Sequence, residues 1–385
     1  MVKVSIVKTE NNFYAAFIRA MNDIGKQLIA PGDCVLIKPN LVETADPDSG
    51  RITNPKVIEA VARYCLDYGA TRVIIGEGPS YYQPQSRLRE CFTRTGVSEV
   101  ADRLGIEWVL FDEHRYRILK GVSDYTPDEF GITEFAFTCD KFINLPVLKT
   151  HYLTTVTLAM KDLKGCLRRE DKPLFHRQDL SRAVVELCKI VRPSVNVIDC
   201  TPRAVVRELG AGYSSEGRQS GSGLLIASSD IVATDAVGCA LMGIDPAEVH
   251  TVTLGAAAGL GESNLTRIDI IGEEPKRLKF KVKLPQEKLR QSFPLLEIIG
   301  VERACSGCLI PLLSSLLLLV ELGTELEKPL RICLGKDPEV PEDKAWLLVG
   351  DCAQIKGRNQ LNWVGGCPPS REELLGSLMR CMSKK

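Results

Sequence analysis

The sequence predicts an α/β protein of largely parallel sheets, with two α/β units at 1–130 and 131–275 and a smaller α/β domain at 290–385. Three observations carry this. Short apolar runs alternate with stretches whose apolar residues recur at helical spacing, which is the signature of stacked β-α-β units. Several of the runs hand over to Gly, Pro or Asn, as strands do where they meet loops. A stretch rich in lysine and glutamate, 272–290, then interrupts the pattern and reads as a linker to the last domain.

Taken in order, the run at 4–7 reads as the first strand and 34–37 as the second, with a helix over 12–28 between them. Residues 55–68 repeat apolar side chains at helical spacing, and 71–76 returns as a strand ending on Gly76. A further strand is expected at 108–111. The second unit begins with a strand at 141–145, continues through a helix over 179–191 and a strand at 194–198, and closes with a strand at 266–271. In the last domain, 330–334 and 345–349 read as strands and the leucine-rich 309–321 as a helix. Ser370-Arg371-Glu372-Glu373 reads as the capped, acidic first turn of another helix. Neither internal repeats nor low-complexity segments are found.

Composition bounds the function. The 385 residues carry 49 Lys plus Arg against 49 Asp plus Glu, so no basic excess points to nucleic acid. The sequence opens without a charged and then apolar leader, and its longest apolar stretch, 309–322, is too short and interrupted to span a bilayer. The expectation is a cytoplasmic protein without membrane insertion. Fourteen cysteines fit a reducing compartment, where they serve as core thiols or metal ligands, and suggest an anaerobe or microaerophile.

Four of those cysteines stand in three short motifs: Cys305-Ser306-Gly307-Cys308, Gly350-Asp351-Cys352-Ala353 and Gly366-Cys367-Pro368-Pro369. Thiolates are the usual ligands of iron–sulfur clusters, and Cys305, Cys308, Cys352 and Cys367 read as a cage for one [4Fe-4S] cluster. Gly307 allows a tight bend between two thiolates, and the helix expected after Cys308 would set a positive dipole end against an anionic cluster. Cys352 should lie beyond the carboxyl end of a strand, where open α/β sheets hold ligands. Two alternatives stand beside this reading. The cysteines would be ordinary buried thiols, or would hold zinc, although zinc sites usually pair two short modules and only one is present. Cys333, in the middle of an expected strand, is not excluded as a ligand.

In the first two-thirds, two loops follow strands directly: Lys38-Pro39-Asn40-Leu41 and Gly76-Glu77-Gly78-Pro79-Ser80. Lys38, Asn40, Gly76, Glu77 and Gly78 are candidates for binding a carboxylate or phosphate through backbone N–H groups and a lysine; tight turns capped by glycine and proline are the alternative. A denser group follows in Asn144-Leu145-Pro146-Val147-Leu148-Lys149-Thr150-His151, then Lys161, Lys164, Gly165 and Cys166, and Phe175-His176-Arg177. Neighbouring cations lower one another's pKa, and histidine near neutrality is a natural general acid or base. Lys149, His151, Lys161 and His176 are therefore the catalytic candidates, for a small anionic substrate with a transferable proton. Glu77, Asp199, Asp230 and Asp235 are the acids expected nearby, with Asp230 and Asp235 equally able to cap a helix. Cys166 and Cys200 lie close to the proposed pocket but read as small buried side chains.

Two resemblances add to this. The order Cys-x-x-Cys, Gly-x-Cys-Ala and Gly-Cys-Pro-Pro is similar to the small subunit of nickel–iron hydrogenases, and more loosely to the cluster subunit of respiratory complex I. It implies a flavodoxin-like domain whose four cysteines ligate a cubane cluster, and it covers about the last eighty or ninety residues. The large subunit's nickel cysteines are not recognisable. The segments 38–40, 145–151, 160–165, 198–199, 229–236 and 242–246 resemble the domain of unknown function 362 family, from about residue 1 to about residue 275. Members are often fused to ferredoxin-type modules; here a hydrogenase-like cysteine set stands in that place. His151 followed by Lys161 is faintly similar to lactate-racemase-type proteins, which hold a nickel pincer cofactor through a lysine, but the flanking glycines are missing.

The expected function is a [4Fe-4S]-dependent oxidoreductase or electron-transfer subunit, acting on a small anionic substrate, a second cofactor or a redox partner protein. A non-redox racemase-like enzyme with a structural cluster, or a cluster carrier or assembly protein, is the alternative.

Overall fold

The computed structural model describes all residues except 82–83, 152, 202–205, 209–222, 279–281, 283, 341–344, 356–361 and 384–385. The chain divides into two compact units. The first takes in Met1–Phe175, Leu180–Arg207 and Glu216–Val282, the second Lys283–Lys385 with the short segments His176–Asp179 and Glu208–Ser215.

In the first unit the strands are β1 (Val2–Lys8), β2 (Cys34–Pro39), β3 (Arg72–Glu77), β4 (Glu107–Leu110), β5 (Tyr116–Lys120), β6 (Glu129–Thr133), β7 (Lys141–Leu145), β8 (Lys149–His151), β9 (Thr155–Thr157), β10 (Val195–Cys200), β11 (Val206–Glu208), β12 (Leu224–Ser228) and β13 (Ile268–Gly272). Eight of them form one sheet in the order β13-β1-β12-β10-β7-β2-β3-β4. Strands β10, β7, β2, β3 and β4 run parallel, and β12 lies antiparallel to both β1 and β10. This sheet draws strands from both sides of the expected boundary near residue 130. Strand β7 pairs directly with β2, with Ile37 opposite Ile143 and Lys38 opposite Asn144, so both halves share one set of backbone hydrogen bonds. Short runs of β-branched residues say that a strand exists but not which edge it joins. Two small sheets flank this one, the hairpin β5-β6 and the three strands β11-β8-β9.

Side chains alternate between the faces of a sheet. One face of this sheet, with Val35, Ile37, Val73, Ile75, Ile143, Leu145, Val195 and Val197, forms a single apolar core with Phe17, Met21, Val57, Ile58 and Val61. Those last residues lie on the helices Phe13–Asp23 and Pro55–Asp67. The first is capped by Asn12, whose side chain accepts from Ala15 N, and it ends sooner than its apolar pattern suggests because Gly25 takes φ +67°, a left-handed turn. The second starts at Asn54, with Pro55 in the first helical position where a missing N–H costs nothing. The other face carries Lys38, Asn144 and Asn196 among apolar neighbours and is covered by the helices Ala159–Asp162 and Ile231–Leu241.

The second unit is built on a parallel sheet of β14 (Leu296–Ile299), β15 (Leu330–Leu334), β16 (Leu347–Val349) and β17 (Trp363–Val364), in sequence order. The helices Ser306–Glu321 and Arg371–Ser383 pack on each other, and Ser370 caps the latter by accepting from Glu373 N. The stretch expected as a linker holds two short helices, Pro275–Leu278 and Pro285–Ser292, each opened by a proline. Among the described residues no helix is long and apolar enough to cross a membrane.

Asn54→Ala removes the cap of the helix Pro55–Asp67 and should lower stability by about 1 kcal/mol in urea unfolding of the full chain, with the far-ultraviolet spectrum of the folded state unchanged.

Candidate functional site

The first unit's chain runs from β2 outward to β3 and β4, then returns to lay β7 on the other side of β2 and β10 beyond it. The reversal falls between β2 and β7. Open α/β sheets hold ligands outside the carboxyl ends of the strands at such a point. Lys38, Asn40, Glu77 and Lys149, all singled out in the sequence, leave the ends of β2, β3 and β7 at this place.

The four are joined by a residue the sequence reading missed. Asp162, the last residue of the helix Ala159–Asp162, receives Lys38 Nζ on Oδ2 at 2.6 Å and Asn40 Nδ2 on Oδ1. Lys38 Nζ also donates to Glu77 Oε2 at 2.9 Å and to Pro39 O at 3.1 Å, which uses all three of its protons. Lys149 Nζ donates to Asn40 Oδ1 at 2.8 Å and to the Arg51 carbonyl at 3.0 Å. Glu77 accepts further from Gly78 N at 2.8 Å and from Leu41 N at 3.3 Å. None of the five side chains is more than 3% exposed. Asp162 lies in a lysine- and leucine-rich stretch where one carboxylate reads as a solvated helix residue, and only the fold turns it inward.

Burial works against the charge of Lys38, but Asp162 and Glu77 outweigh it and hold its pKa above the ordinary lysine range. Glu77 is raised by burial and by the Asp162 carboxylate, against the pull of Lys38. Lys172, 4% exposed, is lowered by burial, and its Nζ donates to the carbonyls of Gly78 at 2.7 Å and Pro79 at 3.0 Å, fixing the loop after β3. Gly165 closes the network from above: a Cβ there would collide with Glu77 Oε1 and stand 2.8 Å from Lys38 Nζ. Gly78 is equally confined, its would-be Cβ 2.6 Å from Gly165 O and 2.8 Å from Lys172 Nζ. These glycines serve close approach of backbone to charged groups rather than a free anion-binding loop. Gly76 makes room for the ring of Phe111. With its charges spent on one another, the network positions Asn40 and Lys149 rather than supplying a free acid or base.

The remaining candidates separate. His151 lies two residues beyond Lys149 on β8, so both side chains leave the same face of the strand. Its Nδ1 accepts from the N–H groups of Leu153 and Thr154, both at 3.2 Å, which puts the proton of the neutral ring on Nε2. Lys161 Nζ lies 3.3 Å from Thr157 Oγ1, and Thr157 is the cross-strand partner of Lys149. Lys149, His151 and Lys161 are thus brought to one hairpin. His176 ends the helix Lys172–His176 and falls in the segment that groups with the second unit. Among the acids only Glu77 joins the network. Asp199 receives Asn54 N at 2.8 Å and Thr201 Oγ1 at 2.6 Å, and Asp230 caps the helix Ile231–Leu241. Asp235 receives Ala159 N at 2.7 Å and Met160 N at 3.1 Å, anchoring the start of the helix that presents Asp162. Cys166 and Cys200 are buried thiols.

In the second unit the three cysteine motifs converge. Cys305 occupies the position before the first turn of the helix Ser306–Glu321, and the Cys308 thiol, followed by the backbone N–H groups of Cys308 and Gly307, draws its pKa down. The Cys308 thiol is pushed up by that same bond, by burial, and by the nearby sulfurs of Cys305, Cys352 and Cys367. Gly350 has φ +87°, and a Cβ on it would stand 2.5 Å from Cys308 Sγ, so only glycine leaves that sulfur its space. Cys352 and Cys367 are exposed. Cys333 is buried in the core with Trp346, Leu348 and Ala353. Among the described residues no three His, Cys, Asp or Glu groups are gathered as a single ion would need.

Two outcomes test this geometry. Gly165→Ala forces a methyl group into the ion-paired network and should cost about 2–3 kcal/mol in urea unfolding. Burial pushes Asp235 up to about 8 from an ordinary 3.8, so it binds its proton more tightly folded than unfolded. Its contribution is fully present below about pH 4 and lost as the pH rises through about 8. Asp235→Asn should therefore show a smaller fall in unfolding free energy between pH 5 and pH 8 than the unaltered chain; an equal fall would assign the pH dependence to other groups.

Comparison with known proteins places the chain. It is 26% identical over 312 residues to a protein of Synechocystis sp. described as thylakoid-associated, which covers 78% of this chain and 89% of the relative. Among solved structures, the lactate racemase apoprotein of Thermoanaerobacterium thermosaccharolyticum aligns with a TM-score of 0.42 and 14% identity, over 63% of this chain and 58% of that one. A protein of Thermotoga maritima aligns with a TM-score of 0.33 and 12% identity, over 65% of this chain and 59% of that one. The chain thus spans less than two-thirds of either structure, and at these scores neither bears on activity. The profile of the family described as domain of unknown function DUF362 matches residues 35–240, a span that includes Lys38, Asn40, Glu77, Lys149 and Asp162, and the chain belongs to that family.

Proposed function

We propose that the chain is an iron–sulfur protein, a [4Fe-4S]-dependent oxidoreductase or electron-transfer subunit that acts on a small anionic substrate or second cofactor. The observation that carries this reading is the position of Cys308, whose thiol lies within electrostatic reach of Cys305, Cys352 and Cys367 although the last two come from motifs more than forty residues away. A cubane sets its thiolates farther apart than one metal ion does, so a looser convergence of four sulfurs suits it. The donor set also suits a cluster, four thiols with no imidazole in the motifs; their one carboxylate, Asp351, accepts from Gly366 N at 2.6 Å. When bound, such a cluster supplies one-electron transfer.

The chain's own residues prepare the site. The N–H groups of Gly307 and Cys308 favour Cys305 as thiolate, the form that ligates iron. Gly350 keeps the space beside Cys308 open. In the first unit, Lys149 and Lys161 would attract an anion and His151 would donate from Nε2, on a hairpin held by the buried Lys38–Asp162–Asn40 network. The cytoplasm expected from composition stands beside a relative described as thylakoid-associated, and fractionation of the native host distinguishes the two locations.

The test is iron and acid-labile sulfide per chain after anaerobic purification, with electron paramagnetic resonance of the reduced protein, on the unaltered chain and on Cys352→Ala and Cys367→Ala. About four of each per chain, lost in both variants, is the expected result. Iron that is absent, or indifferent to both substitutions, overturns the reading.

A further inference from the structure

In the first unit, two cysteines stand apart from the rest. Cys34 and Cys139 are half-buried, whereas the unit's other cysteines are buried. Cys34 is the first residue of β2, and Cys139 follows the short helix Phe135–Thr138 just before β7. Their sulfurs lie 3.6 Å apart. The backbone on both sides is fixed: Cys34 N–H donates to Asp140 Oδ2 at 2.8 Å, and Asp140 N–H donates to Cys34 O at 2.9 Å. The closeness of the sulfurs therefore follows from the pairing of β2 with the segment leading into β7. A disulfide needs about 2.05 Å, so the sulfurs have roughly 1.5 Å to close, a distance within the range of small side-chain rotations. Arg72, at the start of β3, adds a guanidinium that interacts with both sulfurs and is itself held by Glu107 at 2.8 and 2.9 Å. Burial and the hydrogen bond with Cys34 outweigh the pull of Arg72 and push the Cys139 thiol up to about 12, so it is the closeness of the two sulfurs that favours a bond between them.

We propose that Cys34 and Cys139 form a dithiol–disulfide couple, a modification site oxidised by a small-molecule disulfide of the glutathione type. One of the two thiols loses its proton, and the thiolate attacks the small disulfide. A mixed disulfide forms, the small S–S bond breaks, and one small thiolate leaves. The second protein thiol, deprotonated in turn, attacks the protein sulfur of the mixed disulfide, forms the Cys34–Cys139 bond and expels the second small thiolate. The two protein thiols give up two electrons and two protons, and one small disulfide becomes two thiols. The bond ties together the amino ends of β2 and β7, the strands whose carboxyl ends flank the candidate site. This couple rests on neither the cluster nor the chemistry of that site.

The sequence makes the test clean. Lys38 precedes a proline and resists trypsin, so Cys34 and Cys139 fall in separate tryptic peptides, 27–51 and 121–141, each with a single cysteine. The folded full-length chain is treated with oxidised glutathione, its remaining thiols are alkylated, and it is digested without reduction for mass spectrometry. The expected product is the linked pair of peptides, absent after dithiothreitol. In Cys34→Ser and Cys139→Ser the link should vanish while the remaining cysteine of the pair carries glutathione. Unlinked peptides from the folded, unaltered chain overturn the proposal, as does a link that forms only in urea; because both of these readouts use the unaltered protein, poor folding of a variant does not obscure them.

Discussion

The ammonium of Lys38, gripped by the carboxylates of Asp162 and Glu77, is the constraint on which the first unit depends. A charge taken wholly out of water is tolerated only when partners surround it, and removing one partner from such a set is far more costly than never having built it. Here the partners lie 124 and 39 positions away in the chain. Satisfying one lysine thus fixes β2, the loop after β3 and the helix Ala159–Asp162 against one another. Asp235 holds the other end of that helix, and Lys172 holds the loop from its far side. The glycines at 78 and 165 follow from the same requirement, since a side chain at either would displace a charged group.

This network divides the sheet's two faces in character. One face is a continuous apolar core against two amphipathic helices, and it supplies the burial that drives folding. The opposite face sets Lys38, Asn144 and Asn196 side by side on neighbouring strands. Asn144 donates to Ala159 O and to Asn196 Oδ1, yet Asn144 Oδ1 and Asn196 Nδ2 have no hydrogen-bond partner among the described residues. Unpaired buried amide groups cost stability. Such a row, next to the reversal point of the sheet, is where a fold gives up some stability for a site.

The second unit solves a different problem. Its four-stranded sheet brings together three loops that each carry cysteine, and the thiols then act on one another: a single hydrogen bond lowers Cys305 and raises Cys308. Neutral thiols crowded in this way gain little from their proximity. The tight fit of Gly350 against Cys308 means that the loops are shaped around sulfur rather than around packing alone.

Much of this was legible in the chain. Apolar period and turn residues gave the α/β class, the strands read at 34–37, 71–76, 141–145 and 330–334 and the helix read at 55–68, each within two residues of the structure's bounds, because backbone geometry imposes those periods locally. Lys38, Asn40, Glu77 and Lys149 could be picked out because each leaves the end of an apolar run. Asp162 and Lys172 could not, because a charged residue in a polar stretch gives no sign of being turned inward. The single eight-stranded sheet was equally hidden: β2 pairs with β7 across more than one hundred intervening residues, and nothing local encodes which edge a strand joins. Sequence by itself determined the elements named above and the residue types present at their ends; strands such as Leu224–Ser228, inside the main sheet, were not read from it. Only the tertiary structure decided which charges face one another, because that choice is made by the cost of burying each charge without its partner.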